Sequence, residues 1–294
     1  MRTDQFSKRG FLAVALALVA GLAAGPAIAQ GGINKDADEI LRSMSTFLGG
    51  AKAFSVAADI GNEVISKEGE KLQLNSYATV VFQRPAGFYF HRQGRFADVE
   101  AFFDGKMVSL LGKNRGIYVQ KEVAGSTDDA FNMITSHIGV DLPAVDLLLS
   151  DPYAVLSSGV TSSGYHGTDF VGGFECHHLS FREDDVDWQL WVKTGDEPLP
   201  MKYVITTKWL TGAPQYSVQL SNWNLAPVIA ADRFTFVAPK GAKKLDALAV
   251  DEGLQPEEVH RGADVLGVDV GRGDLARLAA AFPGERGVEG ESDV

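Results

Sequence analysis

A chain of 294 residues with 45% hydrophobic content holds enough apolar material for one large domain or two small ones. Its formal net charge of −11 implies no basic surface, which makes nucleic acid and anionic lipid headgroups poor partners. The single cysteine, Cys176, excludes an internal disulfide, so stability must come from burial and hydrogen bonding.

The first segment reads as an export signal. Lys8 and Arg9 precede an uncharged run from Gly10 to Ala29, which ends in the small-x-small pattern Ala27-Ile28-Ala29. The apolar core from Phe11 to Leu22 falls short of the roughly 20 residues a spanning helix needs. Cleavage is expected between Ala29 and Gln30. Gln30 offers no thiol for lipid attachment, so the expected product is periplasmic and carries no membrane anchor. Ser7-Lys8-Arg9-Gly10-Phe11-Leu12 also resembles the twin-arginine motif with its first arginine replaced by lysine, so general secretion and folded-state export both stay open.

Residues 30–244 form the expected folded body. It opens with a helix in which Asp36 can serve as the cap. Ile40, Leu41, Met44, Phe47 and Leu48 share a face, and Gly49-Gly50 end it. The hydrophobic period then changes from 3.6 to 2. Phe54, Val56, Ala58 and Ile60 alternate with polar or small residues, as do Leu72, Leu74, Ala78, Val80 and Phe82, with Ser76 interrupting the row. Further strands are predicted over 86–93, 96–103, 106–111 and 116–122, with Asp104-Gly105 as a hairpin signal.

Two helical pieces interrupt the strands. Ser126 or Thr127 can cap a helix over 127–138, with Asp128 and Asp129 in its first turn and Phe131, Ile134 and Ile138 on one side. After Asp141-Leu142-Pro143 comes AVDLLLS, a short helix over 143–149 too apolar to lie exposed. Strands resume over 158–170, 174–183, 187–194, 200–210 and 215–224, linked by turns such as Gly172-Gly173 and Gly195-Asp196. The expected fold class is α+β: a single antiparallel meander of about eleven strands. Twist curls so long a sheet into an unclosed barrel, with the opening helix and short helices covering the concave face.

Residues 245–294 carry twelve acidic and four basic residues with eight glycines, a composition that buries little and reads as a mostly disordered tail. Within it, DLARLAAAF from Asp274 to Phe282 could present Leu275, Leu278 and Phe282 on one helical face.

Signals for catalysis are thin. No nucleophile elbow or phosphate-binding loop is present, and no nucleophile–base set can be assembled, so an enzyme is not expected. Cys176-His177-His178 is the one cluster that invites a metal reading. Adjacent strand residues point to opposite faces, so the two histidines cannot share an ion without a bulge, and neither metal nor cofactor is expected. The run Glu183-Asp184-Asp185-Val186-Asp187 falls between strands and reads as a solvated hairpin loop. Phe88, Phe90, Phe96, Phe102, Phe103, Trp188, Trp191, Tyr203, Trp209 and Trp223 all fall in predicted strands. They supply either a plain sheet core or the lining of an apolar cavity.

The stretch from Trp188 to Gly241 resembles the closing signature of the bacterial lipoprotein-carrier superfamily with the LolA/LolB-like fold. The resemblance is carried by Trp191-Val192, Leu199-Pro200, Asn222-Trp223-Asn224 and Phe234-Thr235-Phe236-Val237-Ala238-Pro239. The N-terminal half resembles the predicted periplasmic family of domain of unknown function 2092, through Lys52-Ala53-Phe54-Ser55-Val56, Arg84-Pro85, Phe102-Phe103-Asp104-Gly105-Lys106 and Gly139-Val140-Asp141-Leu142-Pro143. The resemblance implies a curled sheet closed by the Phe-x-Phe-x-x-Pro strand, with helices plugging its mouth around hydrophobic cargo. It also implies an arginine that latches the lid, for which Arg84, Arg92 and Arg95 stand in the right region. Candidate lining and lid residues are Phe54, Val56, Leu74, Phe90, Phe102, Phe131, Ile134, Leu147, Leu148, Trp191 and Tyr203. The expected partner is a lipid or lipoprotein acyl chain. The alternative is a sensor module that binds a regulatory envelope protein.

Overall fold

The computed structural model describes residues 32–245, apart from Lys67, Phe96, Ala97, Ala124 and 139–143. The proposed signal segment and all of the tail beyond Leu245 lie outside the described residues. Among the latter, no helix is long and apolar enough to cross a membrane.

One sheet of twelve strands organises the chain. Its strands are β1 (Ala53–Ile65), β2 (Lys71–Gln83), β3 (Gly87–Gly94), β4 (Asp98–Phe103), β5 (Met107–Gly112), β6 (Ile117–Glu122), β7 (Ser162–Val171), β8 (Phe174–Arg182), β9 (Val186–Lys193), β10 (Pro200–Thr207), β11 (Gln215–Asn224) and β12 (Lys243–Leu245). The order across the sheet is β12-β6-β5-β4-β3-β2-β1-β11-β10-β9-β8-β7, and among the described residues β12 and β7 are its edge strands. The sheet is therefore unclosed, and antiparallel except where β12 runs parallel to β6. It departs from a simple meander. Two meanders, β1–β6 and β7–β11, are joined through the β1–β11 pairing, with Ile60 opposite Val218.

That order dictates what lies over the concave face. β6 and β7 are consecutive in sequence but lie on opposite sides of the sheet, so the chain between them has to cross it. The crossing segment carries α2 (Thr127–Met133), a π-helical turn over Ile134–Ile138, a 3-10 turn over Val145–Leu148 and α3 (Pro152–Leu156). Phe131, Ile134, Leu147 and Leu156 are buried in one core with the concave residues of the sheet. Ser126 caps α2: its hydroxyl accepts from the Asp129 backbone N–H while Asp129 accepts from the Ser126 backbone, a reciprocal capping box.

α1 (Lys35–Gly50) fills the other half of the concavity. Asn34 caps it, in place of the expected Asp36, by accepting from the Ala37 backbone N–H at 2.9 Å. Leu41, Met44 and Leu48 are buried in the core that holds Leu179, Phe181 and Leu190. α3 is pinned beside α1: the Tyr153 hydroxyl donates to Asp38 at 2.6 Å, and the Arg42 guanidinium lies 3.8 Å from the Tyr153 ring centroid.

The Phe234–Pro239 segment is the main departure from the expected closing elements. It forms no strand. It lies as a strap on the convex face, where Phe236 packs 5.5 Å from Phe102 and 5.1 Å from Tyr118. Gly87 allows this, since a Cβ there would stand 2.6 Å from the Phe234 ring. Trp209 also departs from expectation, lying in the turn after β10. The tight β7–β8 link is as expected, with Gly172 and Gly173 at φ 58° and 86°, the left-handed pair a two-residue hairpin turn requires.

Candidate functional site

Strand alternation places Val56, Ala58 and Ile60 of β1 on the concave face. Register carries that face to Val80 and Ala78 on β2, Phe90 and Arg92 on β3, Val99 and Ala101 on β4 and Leu110 on β5. On the other side of β1 it continues to Tyr216, Val218 and Leu220. Three alanines sit near the middle of this wall, with Ala58 directly opposite Ala78. Side chains that small cannot reach the roof formed by Phe131, Ile134, Leu147 and Leu148. The result is an apolar cavity of about 220 Å³ bounded by wall and roof. An apolar cavity of about 150 Å³ already stays dry and takes up benzene.

At one end, Phe131 and Trp223 line the cavity and back onto a cluster of buried rings. Phe131 lies parallel to Phe88 at 5.0 Å, Phe54 stacks on Phe82 at 5.0 Å, and Trp223 approaches Phe54 at 5.5 Å. Phe54, Phe82 and Phe88 are fully buried.

The roof is fastened at that end. Arg84, just past β2, donates from Nη2 to the Leu148 and Leu149 carbonyls at 3.0 and 2.9 Å. Its guanidinium also lies 5.0 Å from the Phe82 ring centroid. Burial lowers its pKa, and the Asp128 carboxylate acts in the opposite direction. Asp128 makes a second fastening, accepting from the Ser150 hydroxyl at 2.5 Å and from its backbone N–H at 3.1 Å. Of the three arginines in the region, Arg84 is the one whose bonds to the roof lie among the described contacts. The buried Nε and Nη1 of Arg84 find no partner among the described residues, a desolvation cost tolerated at this position.

A buried acidic corner adjoins the roof. Burial, and secondarily Glu183, raise Asp146 to about 6. Glu183 accepts from Trp188 Nε1 at 2.7 Å and is raised by burial. Tyr203, fully enclosed beside them, is raised well above its ordinary value, by burial first. The acidic run is thus solvated only in part: Asp184 and Asp185 are exposed, while Glu183 turns inward.

Of the residues anticipated for the site, Val56, Phe90, Phe131, Ile134, Leu147 and Leu148 line the cavity. Phe54 does not line it and packs instead behind Trp223. Tyr203 faces the same side but is enclosed near Asp146. Leu74 lies on the concave row beyond the cavity, two residues past Ser76. Phe102 and Trp191 do not reach the cavity, because their neighbours Phe103 and Leu190 take the inward positions. Trp191 instead stacks on His178 at 4.2 Å on the convex face. His177 and His178 do point to opposite sides: His177 Nδ1 lies 3.1 Å from the Tyr165 hydroxyl. Among the described residues no group of three or more His, Cys, Asp or Glu comes together as a metal site. The sequence reading missed the alanine-lined wall and Tyr216; the alternation Val56-Ala57-Ala58-Asp59-Ile60 was the available signal.

Residues 37–248 match the family described as predicted periplasmic protein, DUF2092. No curated protein matches the sequence. Similar solved structures include LprF from Mycobacterium bovis, at 15% identity over 69% of this chain and 100% of that one, with a TM-score of 0.43. Another is the MucA/MucB complex of Pseudomonas aeruginosa, at 14% identity over 69% and 62% of the two chains, with a TM-score of 0.38. A LolA superfamily protein from Nitrosomonas europaea is 9% identical over 68% of this chain and 97% of that one, with a TM-score of 0.35.

Proposed function

The chain belongs to the DUF2092 family of predicted periplasmic proteins, and from that premise we propose that it is a binding protein that carries a hydrophobic ligand, such as an acyl chain, in the cavity beneath the roof. The observation behind this reading is a cavity of about 220 Å³ that mostly apolar side chains line and none fills. A well-packed interior has few voids larger than a water molecule, so a space of this size is a standing loss of dispersion contacts unless a guest occupies it. Each methylene transferred into it stabilises the complex by about 0.8 kcal/mol. Apolar walls can therefore supply affinity without catalytic groups. Entry and release require the roof over 144–149 to lift, an equilibrium between covered and open states biased by the ligand.

Uptake of an apolar fluorophore such as N-phenyl-1-naphthylamine by the delipidated full chain tests the reading. Saturable binding of one probe per chain is expected, displaced by a twelve-carbon alcohol. Leu147→Asp combined with Leu148→Asp should abolish it while far-UV circular dichroism stays unchanged. Absence of uptake by the wild-type chain, or equal uptake by the folded double variant, would overturn it.

A further inference from the structure

The cavity has polarity at one end only. Among the described residues that line it, Arg92 carries the one charged group. Its inward direction follows from register: Phe88, Phe90 and Arg92 alternate onto the concave face, with Arg92 opposite Ala78 and Val99. A two-residue step along β3 separates Arg92 from Phe90, which also lines the cavity, about 7 Å at the usual rise of a strand. Arg92 is exposed although it lines the cavity, so the cavity meets solvent at this point.

The guanidinium of Arg92 is little used. Its Nε donates to the Ser76 hydroxyl at 3.0 Å, and no carboxylate among the described residues pairs with it. Packing alone would favour an aliphatic residue in an otherwise apolar row. The Tyr216 hydroxyl stands near the same end: Tyr216 pairs with Asn62, two residues from Ile60, which itself faces Ser76. Arg92 acts electrostatically on the Tyr216 phenol, and no described residue hydrogen-bonds to that hydroxyl.

Taking the cavity as a ligand site, the geometry points to a single-chain amphiphile with an anionic head as its occupant, the tail directed at Phe131 and Trp223 and the head held by Arg92 with Tyr216. A guanidinium presents paired N–H donors that match the oxygens of a carboxylate or a phosphate. The volume suits one chain rather than two or three. The net negative charge of the protein disfavours adhesion to anionic surfaces, whereas Arg92 works at hydrogen-bonding distance on one bound head.

Titration calorimetry on the delipidated full chain with dodecanoate, dodecyl phosphate and dodecanol, all below their micelle-forming concentrations, tests the assignment. Both anions should bind about tenfold or more tightly than the alcohol, since a hydrogen-bonded charge contributes about 1.5–3 kcal/mol. The stronger anion identifies the head as carboxylate or phosphate. Arg92→Gln should remove the anion preference, and Arg92→Lys should restore part of it. Equal affinity for anions and alcohol in the wild type would overturn the head-group assignment while leaving the apolar cavity reading intact. So would an Arg92→Gln variant that keeps the preference. Failure of all three ligands to bind would overturn both readings. Should Arg92→Gln not fold, the wild-type comparison and Arg92→Lys decide the question.

Discussion

Arg84 Nη2 donates to the Leu148 carbonyl at 3.0 Å, fastening the turn after β2 to the roof of the cavity. The same nitrogen donates to the next carbonyl, Leu149, so one side chain satisfies the C-terminal end of the 3-10 turn. The fastening is a charge-assisted bond in a partly buried place, stronger than a surface contact, and Asp128 adds a second one through Ser150.

Arg84→Met should therefore loosen the roof selectively. Amide exchange at Leu147, Leu148 and Leu149 is expected to speed by about tenfold or more, the equivalent of one charge-assisted hydrogen bond. Exchange in the central strands β1 and β2 should stay unchanged. Uniform acceleration through the sheet would mean that Arg84 supports the whole fold rather than the roof.

Ala101→Phe separates a cavity from a packed core. In a full core such a substitution overpacks and destabilises by about 1–3 kcal/mol. Ala101 lines empty space, so the added ring should leave the urea midpoint unchanged or raise it, while uptake of N-phenyl-1-naphthylamine is lost. Destabilisation with binding retained would contradict this.

Asp146 gives the roof a pH dependence. Burial, then Glu183, place its folded pKa at about 6, above the ordinary carboxylate value of about 3.9. The folded state therefore holds the proton more tightly. Its contribution is fully present below about pH 4 and is lost as pH rises through about 6. Wild-type stability should fall by about 2–3 kcal/mol relative to Asp146→Asn across that window. Parallel pH profiles for the two chains, measured by urea unfolding, would exclude this role. Glu183 and the enclosed Tyr203 face the same corner and remain in both chains.

Phe131→Ala should destabilise the chain by about 3–5 kcal/mol, because the ring is buried against Phe82, Phe88 and Phe90. Trp191→Phe removes a convex-face indole that donates to Asp169 at 3.1 Å. It should leave ligand affinity within about twofold, in line with the small effects of substitutions outside a site's contacts. A large loss of affinity from Trp191→Phe would require the cavity to be placed elsewhere.

Much of this fold was legible in alternation. Strands around Phe54-Val56-Ala58-Ile60 and around Val80-Phe82, and the Gly172-Gly173 turn, follow from period and local turn chemistry, which act over a few residues. The pairing of β1 with β11 did not follow from the pattern, because it is set by contacts more than 150 residues apart, such as Ile60 with Val218. Phe234-Thr235-Phe236 has a strand's alternation, yet its rings pack on the convex face and leave its backbone outside the ladder. Phe102 and Trp191 show the same limit. In Phe102-Phe103 and Leu190-Trp191, two large apolar neighbours compete for one inward position, and composition does not say which one takes it. Arg84 was one of three arginines in the region until the Leu148 and Leu149 carbonyls separated them.

Native mass spectrometry of the full chain purified from a bacterial periplasm addresses the cargo directly. The account predicts a bound mass that organic extraction releases and resolves into single-chain amphiphile, absent from the Ala101→Phe variant. Protein that emerges at its bare polypeptide mass, and stays so after incubation with dodecanoate or dodecanol, would contradict it.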